Sequence, residues 1–244
     1  MDKIIKITLG IFIVVLVAFT GTITYTAYTE TAYRNTLTGT YTYTCTITTD
    51  SPLYNVTLFI PVPVDSTGNS PMVSEFSSHG MKGVPADWET TLFDTGKSTL
   101  LKVMTPAIIP PENTTKSHPY TITFSSETSS HTPIDTRDPF EKSAMFRPVQ
   151  ALSENTCLQG STDGSPRCFT YTTSVYADYR TAGDTTVTIT SAVTGKNTWT
   201  IFEPRSNEYH TDISVSMKGE NHGWAVLNGE LSSGAGTYDT PAGS

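Results

Sequence analysis

Apolar and polar residues alternate with a period of two over much of the chain after residue 37. In the segment 38–48 every second position is apolar from residue 41 onward, and threonine fills most of the positions between. The apolar face carries Tyr41, Tyr43, Cys45 and Ile47. Such alternation is typical of a β-strand with one buried and one exposed face. The pattern also predicts that Cys45 is a small buried apolar residue, because it alternates inward with Tyr43 and Ile47.

Further strands are predicted at intervals of about ten residues, with Gly, Pro, Asn and Asp between them. They are 53–64, a hairpin of 88–93 and 98–104 around residues 94–97, 120–124, 169–179, 185–193, 198–202, 211–217, 224–227 and 231–238. No convincing strand is visible between residues 127 and 167. Short strands at this spacing favour an all-β fold, an immunoglobulin-like β-sandwich that is either one large unit or two small ones.

The first 26 residues have a different pattern. The chain is uncharged from Ile7 to Ile23, and from Ile4 onward about 20 residues would span roughly 30 Å as a helix, enough to cross a bilayer. Lys3 and Lys6 precede this stretch, which predicts a cytoplasmic N-terminus and an exported remainder. A cleaved signal sequence is the alternative, with residues 18–20 as the best cleavage site, but threonine is a poor last residue before a cut. We therefore expect an uncleaved signal-anchor and a single-pass membrane protein whose β domain is extracellular.

These patterns divide the chain into five parts. The predicted parts are a signal-anchor helix at 1–26, a stalk at 27–36, a first β-sandwich part at 37–126, an irregular disulfide-containing excursion at 127–167 and a second β-sandwich part at 168–240.

Composition supports an exposed β domain and excludes one class of partner. Threonine accounts for 45 of the 244 residues, and its β-branched side chain suits the outer face of a sheet. The formal net charge is −8 and no basic face is visible, so we expect no nucleic-acid partner.

Two cysteines and two glycosylation motifs fit an exported domain. Cys157 and Cys168 flank a short Gly- and Pro-containing loop, and we expect a disulfide between them, the alternative being two free thiols. Asn55 and Asn113 begin Asn-X-Thr motifs and are candidate N-glycosylation sites.

Catalytic and metal-binding motifs are not recognisable in the sequence. The five histidines are scattered without metal-ligand spacing, so we expect no metal, cofactor or catalytic site and predict a non-enzymatic protein. In the segment 135–139, Asp135 and Asp138 flank Arg137, which we interpret as a loop network in which Arg137 bridges both acids, the alternative being a cation or acid–base site. The tryptophans at 88, 199 and 224 could form a sugar-binding platform, but such residues more often fill sandwich cores.

Several segments resemble a group of uncharacterised membrane-anchored surface proteins of methanogenic archaea. They are 39–43, 61–63, 135–139, 176–179 and 222–224. The resemblance covers nearly the whole chain and implies a single N-terminal span and an outward β domain, without catalytic residues. The strand that ends in Pro61-Val62-Pro63 is also distantly similar to immunoglobulin-like domains that precede transglutaminase-type modules, but the catalytic module is not present in this chain.

Three functions remain open from the sequence. We favour a membrane-anchored envelope, adhesion or binding module that presents its loops, chiefly the segment 127–167, to an envelope protein or a glycan. The second is a secreted filament subunit in which an alternating strand at 22–33 is donated to a neighbour's sheet, which would require self-assembly. The third is an exported hydrolase with Asp135 and Asp138 in its active site.

Overall fold

The computed structural model describes residues 2–77, 80–94, 98–157 and 166–238. The helices of this part are α1 (Asp2–Thr36), α2 (Val73–Ser77) and α3 (Pro139–Lys142). The strands are β1 (Thr38–Thr49), β2 (Leu53–Pro61), β3 (Pro63–Val64), β4 (Glu89–Asp94), β5 (Thr99–Ile108), β6 (Tyr120–Ser130), β7 (Met145–Phe146), β8 (Gln150–Asn155), β9 (Arg167–Thr181), β10 (Thr186–Thr200), β11 (Pro204–Lys218) and β12 (Asn221–Gly236). The fold is all-β with an apolar N-terminal helix, as the sequence predicts.

The strands join into one antiparallel sheet, with a small separate pair of β3 and β7. The order in the large sheet is β4-β5-β2-β9-β12-β11-β10-β1-β6, and β8 also pairs with β9. Strand β1 pairs with β10, and β2 pairs with β9. Because these pairings link residues 37–126 directly to residues 168–240, the two predicted sandwich parts form a single unit.

The sheet curls until its two edge strands approach one another. Trp88, just before β4, packs edge-to-face on Phe124 of β6, with ring centroids 6.4 Å apart. Lys82 and Ser125 exchange backbone hydrogen bonds of 2.8 and 2.9 Å. The segment 80–88 therefore covers backbone groups of the β6 edge that would otherwise be open to pairing with another chain.

The core lies inside this curl. The inward residues of β1 include Tyr43, Cys45 and Ile47, all at most 1% exposed, which confirms that Cys45 is buried. Burial raises the pKa of the Cys45 thiol to about 12. The ring of Tyr171 occupies the space where a side chain on Gly229 would lie, so the glycine lets a large ring pack against the neighbouring strand.

Helix α1 continues without a break to Thr36, so residues 27–36 do not form the separate stalk that the sequence predicts, and residues 22–33 do not form the alternating strand of the filament alternative. The Thr22 hydroxyl donates to the Ala18 carbonyl at 2.7 Å, and the Thr31 hydroxyl donates to Ala27 at 2.7 Å. Such bonds to the preceding turn satisfy a threonine hydroxyl within a helix. The filament hypothesis needs residues 22–33 in an extended conformation to pair with a neighbouring sheet, whereas these residues are helical in the structure.

The segment 127–167 contains more regular structure than the sequence predicts. Strand β6 reaches Ser130, and α3, β7 and β8 follow, the last of them ending at Asn155. All six residues of β8 are exposed, so its sequence lacks the alternation of buried apolar and exposed polar residues by which a strand is recognised. The prediction that this whole segment is irregular was wrong, because short or fully exposed strands leave no apolar alternation.

Candidate binding surface

Four aromatic side chains form a continuous row on the outer face of the sheet. We call Phe93, Phe59, Tyr176 and Trp224 the aromatic row. Successive ring centroids are 5.5, 5.5 and 5.6 Å apart, and each pair meets edge-to-face at 69–79°. The ammonium of Lys102 lies 5.8 Å from the Phe59 ring centroid. The row runs across five strands, β4, β5, β2, β9 and β12, and the centroids of its two end rings are at most about 17 Å apart.

Strand register brings these residues together although they are distant in sequence. Phe59 is directly opposite Tyr176, and Tyr176 is directly opposite Trp224. Phe59 and Tyr176 point outward because their chain neighbours point into the core, as Leu58 and Ile60 do on either side of Phe59. Cross-strand aromatic pairs of this kind also stabilise the sheet.

The end of the row at Trp224 is the most exposed. The register of β11 with β12 ends at Ser214 and Asn228, so the first part of β12 extends beyond its neighbour. Trp224 is 61% exposed and Val226 is 64% exposed. Apolar groups of this size at a free sheet surface are typical of an interaction site.

A cluster of polar side chains, His222, Asp178 and Glu220, lies beside the aromatic row. His222 Nδ1 and Asp178 Oδ1 are 2.7 Å apart, and His222 Nε2 lies 3.7 Å from a Glu220 carboxylate oxygen. Asp178 is also opposite Thr57 in the register of β2 with β9. The surface therefore combines flat apolar rings with hydrogen-bonding carboxylate, imidazole and hydroxyl groups.

The three tryptophans divide between core and surface. Trp88 is 9% exposed and Trp199 is 2% exposed, which fits the core interpretation favoured by the sequence. Trp224 alone of the three lies on the outer surface, within the aromatic row.

The segment around Arg137 differs from the predicted network. Asp135 Oδ1 accepts hydrogen bonds from the backbone N–H groups of Arg137 and Asp138, at 3.2 and 2.9 Å. The guanidinium of Arg137 lies 4.2 Å from the Tyr238 ring centroid. Arg137 therefore stacks on an aromatic ring and forms no salt bridge with either acid within the described residues.

A cleft of about 340 Å³ lies beside the loop that follows β3. Its lining includes Tyr41, Asp65 and Lys142. Asp65 Oδ1 accepts from the Thr67 N–H at 2.8 Å and the Asn69 N–H at 3.0 Å. Partial burial works to raise the pKa of Asp65, but these hydrogen bonds and the Thr67 hydroxyl outweigh it and lower the pKa. Asp65 thus holds its own loop, and we assign the cleft no ligand.

The predicted disulfide is present, and the candidate glycosylation sites are accessible. Cys157 and Cys168 are bonded, with Cα atoms 5.2 Å apart, and join the chain after β8 to β9. The loop at 158–165 that they close lies outside the described residues. Asn55 and Asn113 are both exposed. Accessibility is necessary for glycan attachment but does not demonstrate it. Glycosylation at Asn55 and Asn113 therefore stays a prediction.

Within the residues that the structure describes, no three His, Cys, Asp or Glu side chains are grouped so that they could hold a metal ion. Comparison with known protein families, with characterised proteins and with solved structures finds no match to this chain. The resemblance to archaeal surface proteins therefore stays a prediction. The aromatic row, with its polar neighbours, is the feature of the described surface best suited to bind a partner.

Proposed function

We propose that this protein is a non-enzymatic, membrane-anchored binding module that holds an extended envelope glycan on the aromatic row. In this proposal α1 spans the membrane with its N-terminus in the cytoplasm, and the β domain faces outward. The observation that carries the binding function is the aromatic row, whose end members Phe93 and Trp224 are 49% and 61% exposed and whose central rings are half-buried.

The anchoring part is supported by the surroundings of α1. By length and composition, this helix could cross a membrane, and none of its apolar stretch is buried against the domain. The side chains from Lys3 to Tyr28 are exposed on every face of the helix. A helix that is apolar all round needs an apolar environment, and a bilayer provides one.

The glycan part is supported by the chemistry of the row. A sugar ring presents C–H groups on its faces and hydroxyls around its edge, so it needs apolar rings with hydrogen-bonding groups beside them. Tyr176 and Trp224 supply the rings, while Asp178 and His222 supply a donor–acceptor pair next to Trp224. The length of the row suits several linked sugars better than a single one.

The test is binding of the full chain, in detergent micelles, to an array of linear neutral and acidic oligosaccharides. We expect binding to chains of several sugars and its loss in Trp224→Ala, with partial retention in Trp224→Tyr. Thr188→Ala is the control, because Thr188 lies on the outer face of β10 and is separated from Trp224 by β11. Equal binding by wild type and Trp224→Ala, or no binding to any oligosaccharide, would refute the glycan proposal.

A further inference from the structure

The tip of the β10–β11 hairpin lies against the part of α1 that follows its apolar stretch. Phe202, in this tip, stacks on Tyr25 with ring centroids 6.1 Å apart and lies 5.8 Å from the Tyr28 ring. All three rings stay largely open: Tyr25 is 59% exposed, Tyr28 is 55% exposed and Phe202 is 66% exposed. The contact between them therefore leaves a cluster of three exposed aromatic rings.

The position of this cluster along α1 sets its depth relative to a bilayer. The last large aliphatic side chain of α1 is Ile23, and Tyr25 lies about 3 Å and Tyr28 about 7.5 Å further along the helix axis. The polar interface on each side of the hydrocarbon is about 5 to 8 Å thick. Phe202, which contacts both tyrosines, is therefore at interfacial depth if α1 spans the membrane. Amphipathic aromatic rings concentrate at that depth.

The hairpin tip is held in this place by contacts nearer the domain. Tyr33 meets Trp199 edge-to-face at 5.7 Å. The Thr36 hydroxyl bonds to both the N–H and the carbonyl of Thr200, each at 2.9 Å. The domain and the helix are thus joined on two sides, by the chain at Leu37 and by the β10–β11 hairpin.

We infer that Phe202 and the β10–β11 hairpin tip form a second membrane contact, inserted into the outer lipid interface beside Tyr25 and Tyr28. This inference rests on the proposed anchoring of α1. The occupant of the surface is lipid because the cluster is continuous with the candidate span. With the tip embedded, the β domain has a fixed orientation on the membrane and does not swing about the end of the helix.

The experiment places single nitroxide labels on the full chain in phosphatidylcholine vesicles. Glu203→Cys reports the tip while keeping Phe202, Ser216→Cys reports the far end of β11, and Ala18→Cys reports the helix. Residue 216 is about 40 Å from the start of β11 at the usual rise per residue. The native Cys45 thiol is buried and stays unlabelled, and Cys157 and Cys168 are bonded. The readout is collision of each label with oxygen, which enters lipid, relative to collision with a water-soluble nickel chelate.

We expect the oxygen-to-nickel ratio at residue 203 to be several-fold above that at 216 and below that at 18. Adding Phe202→Ser to the Glu203→Cys variant should bring the ratio at 203 down towards that at 216. An aqueous ratio at 203 with a lipid ratio at 18 would overturn the hairpin contact and leave the anchoring intact. Aqueous ratios at both positions would overturn the anchoring and this inference together. A high ratio at 203 that survives Phe202→Ser would contradict the role assigned to Phe202.

Discussion

Trp199 and Trp224 allow the same substitution to be compared in a buried and an exposed place. Trp199 is 2% exposed and packs with Tyr33 and Leu37, whereas Trp224 is 61% exposed on the outer sheet. Trp199 Nε1 has no hydrogen-bond partner among the described residues, so truncation at this position breaks no hydrogen bond. We expect Trp199→Ala to destabilise the protein strongly and Trp224→Ala to destabilise it little.

The expected magnitudes follow from the buried areas. A tryptophan buries up to about 250 Å², which at roughly 25 cal/mol per Å² is about 6 kcal/mol for full burial. Alanine keeps part of this contribution, and measured losses for truncating such residues are about 3–5 kcal/mol. Only about two fifths of the Trp224 side chain is buried, so its truncation should cost about 1–2 kcal/mol by the same scaling. For a chain of this size each kcal/mol lowers Tm by about 2–4 °C.

The assay is thermal unfolding of the full chain in one detergent, followed by near-ultraviolet circular dichroism. Trp199→Ala should lower Tm by about 6–20 °C and Trp224→Ala by about 2–8 °C. Trp199→Phe is the control, because it keeps an aromatic ring against Tyr33 and should recover part of the loss. Equal shifts for the two alanine variants would refute the assignment of Trp199 to the helix–domain junction and Trp224 to the surface.

Three further predictions concern pH, the disulfide and the N-terminus. Burial raises the pKa of Cys45 from 9.0 to about 12 and that of Tyr179 from 10.0 to about 12. Because the unfolded chain loses these protons at lower pH than the folded chain does, the free energy of unfolding should keep its full value below pH 9 and fall between pH 9 and 12. Urea titrations at each pH measure this fall, which should begin at higher pH in Cys45→Ala. An onset unchanged by Cys45→Ala would contradict the role given to that thiol. Replacing Cys157 and Cys168 with serine should lower the free energy of unfolding, measured in urea, by about 3 kcal/mol, because the bond closes a loop of about 12 residues in the unfolded chain. An unchanged free energy of unfolding would show that the bond constrains neither the folded nor the unfolded chain. Mass spectrometry of the native protein should find an N-terminus at Met1 or Asp2, and a start beyond residue 20 would favour the cleaved, secreted form.

The sequence predicts the fold class because alternation survives wherever a strand has one buried face. It locates β1, the β4–β5 hairpin and the Cys157–Cys168 pair. It misses the first half of β11, where residues 204–210 are mostly polar and Tyr209 is the one large apolar side chain facing the core. It also ends the helix at residue 26 instead of Thr36 and leaves a strand at 22–33 open as an alternative, because threonine alternating with Ile, Tyr and Ala suits a strand face and a lipid-facing helix equally well.

The aromatic row could not be read from the sequence for a different reason. Phe59 lies in a run of apolar residues, and Tyr176 stands between Val175 and Ala177, so neither is visibly an outward position. Their contact depends on the pairing of β2 with β9 and of β9 with β12, which brings together residues more than 40 positions apart. Trp224 could be named from the sequence, but its exposure follows from the end of the β11–β12 pairing.

The most direct test of the account is labelling of intact cells with a membrane-impermeant maleimide. Ser216→Cys places an accessible thiol on the β domain, Lys3→Cys places one before the apolar stretch, and the native Cys45 is buried. If α1 carries the β domain across the membrane, Ser216→Cys is labelled without lysis and Lys3→Cys is labelled only after lysis. Labelling of both variants only after lysis, with the protein recovered in the soluble fraction, would contradict the account.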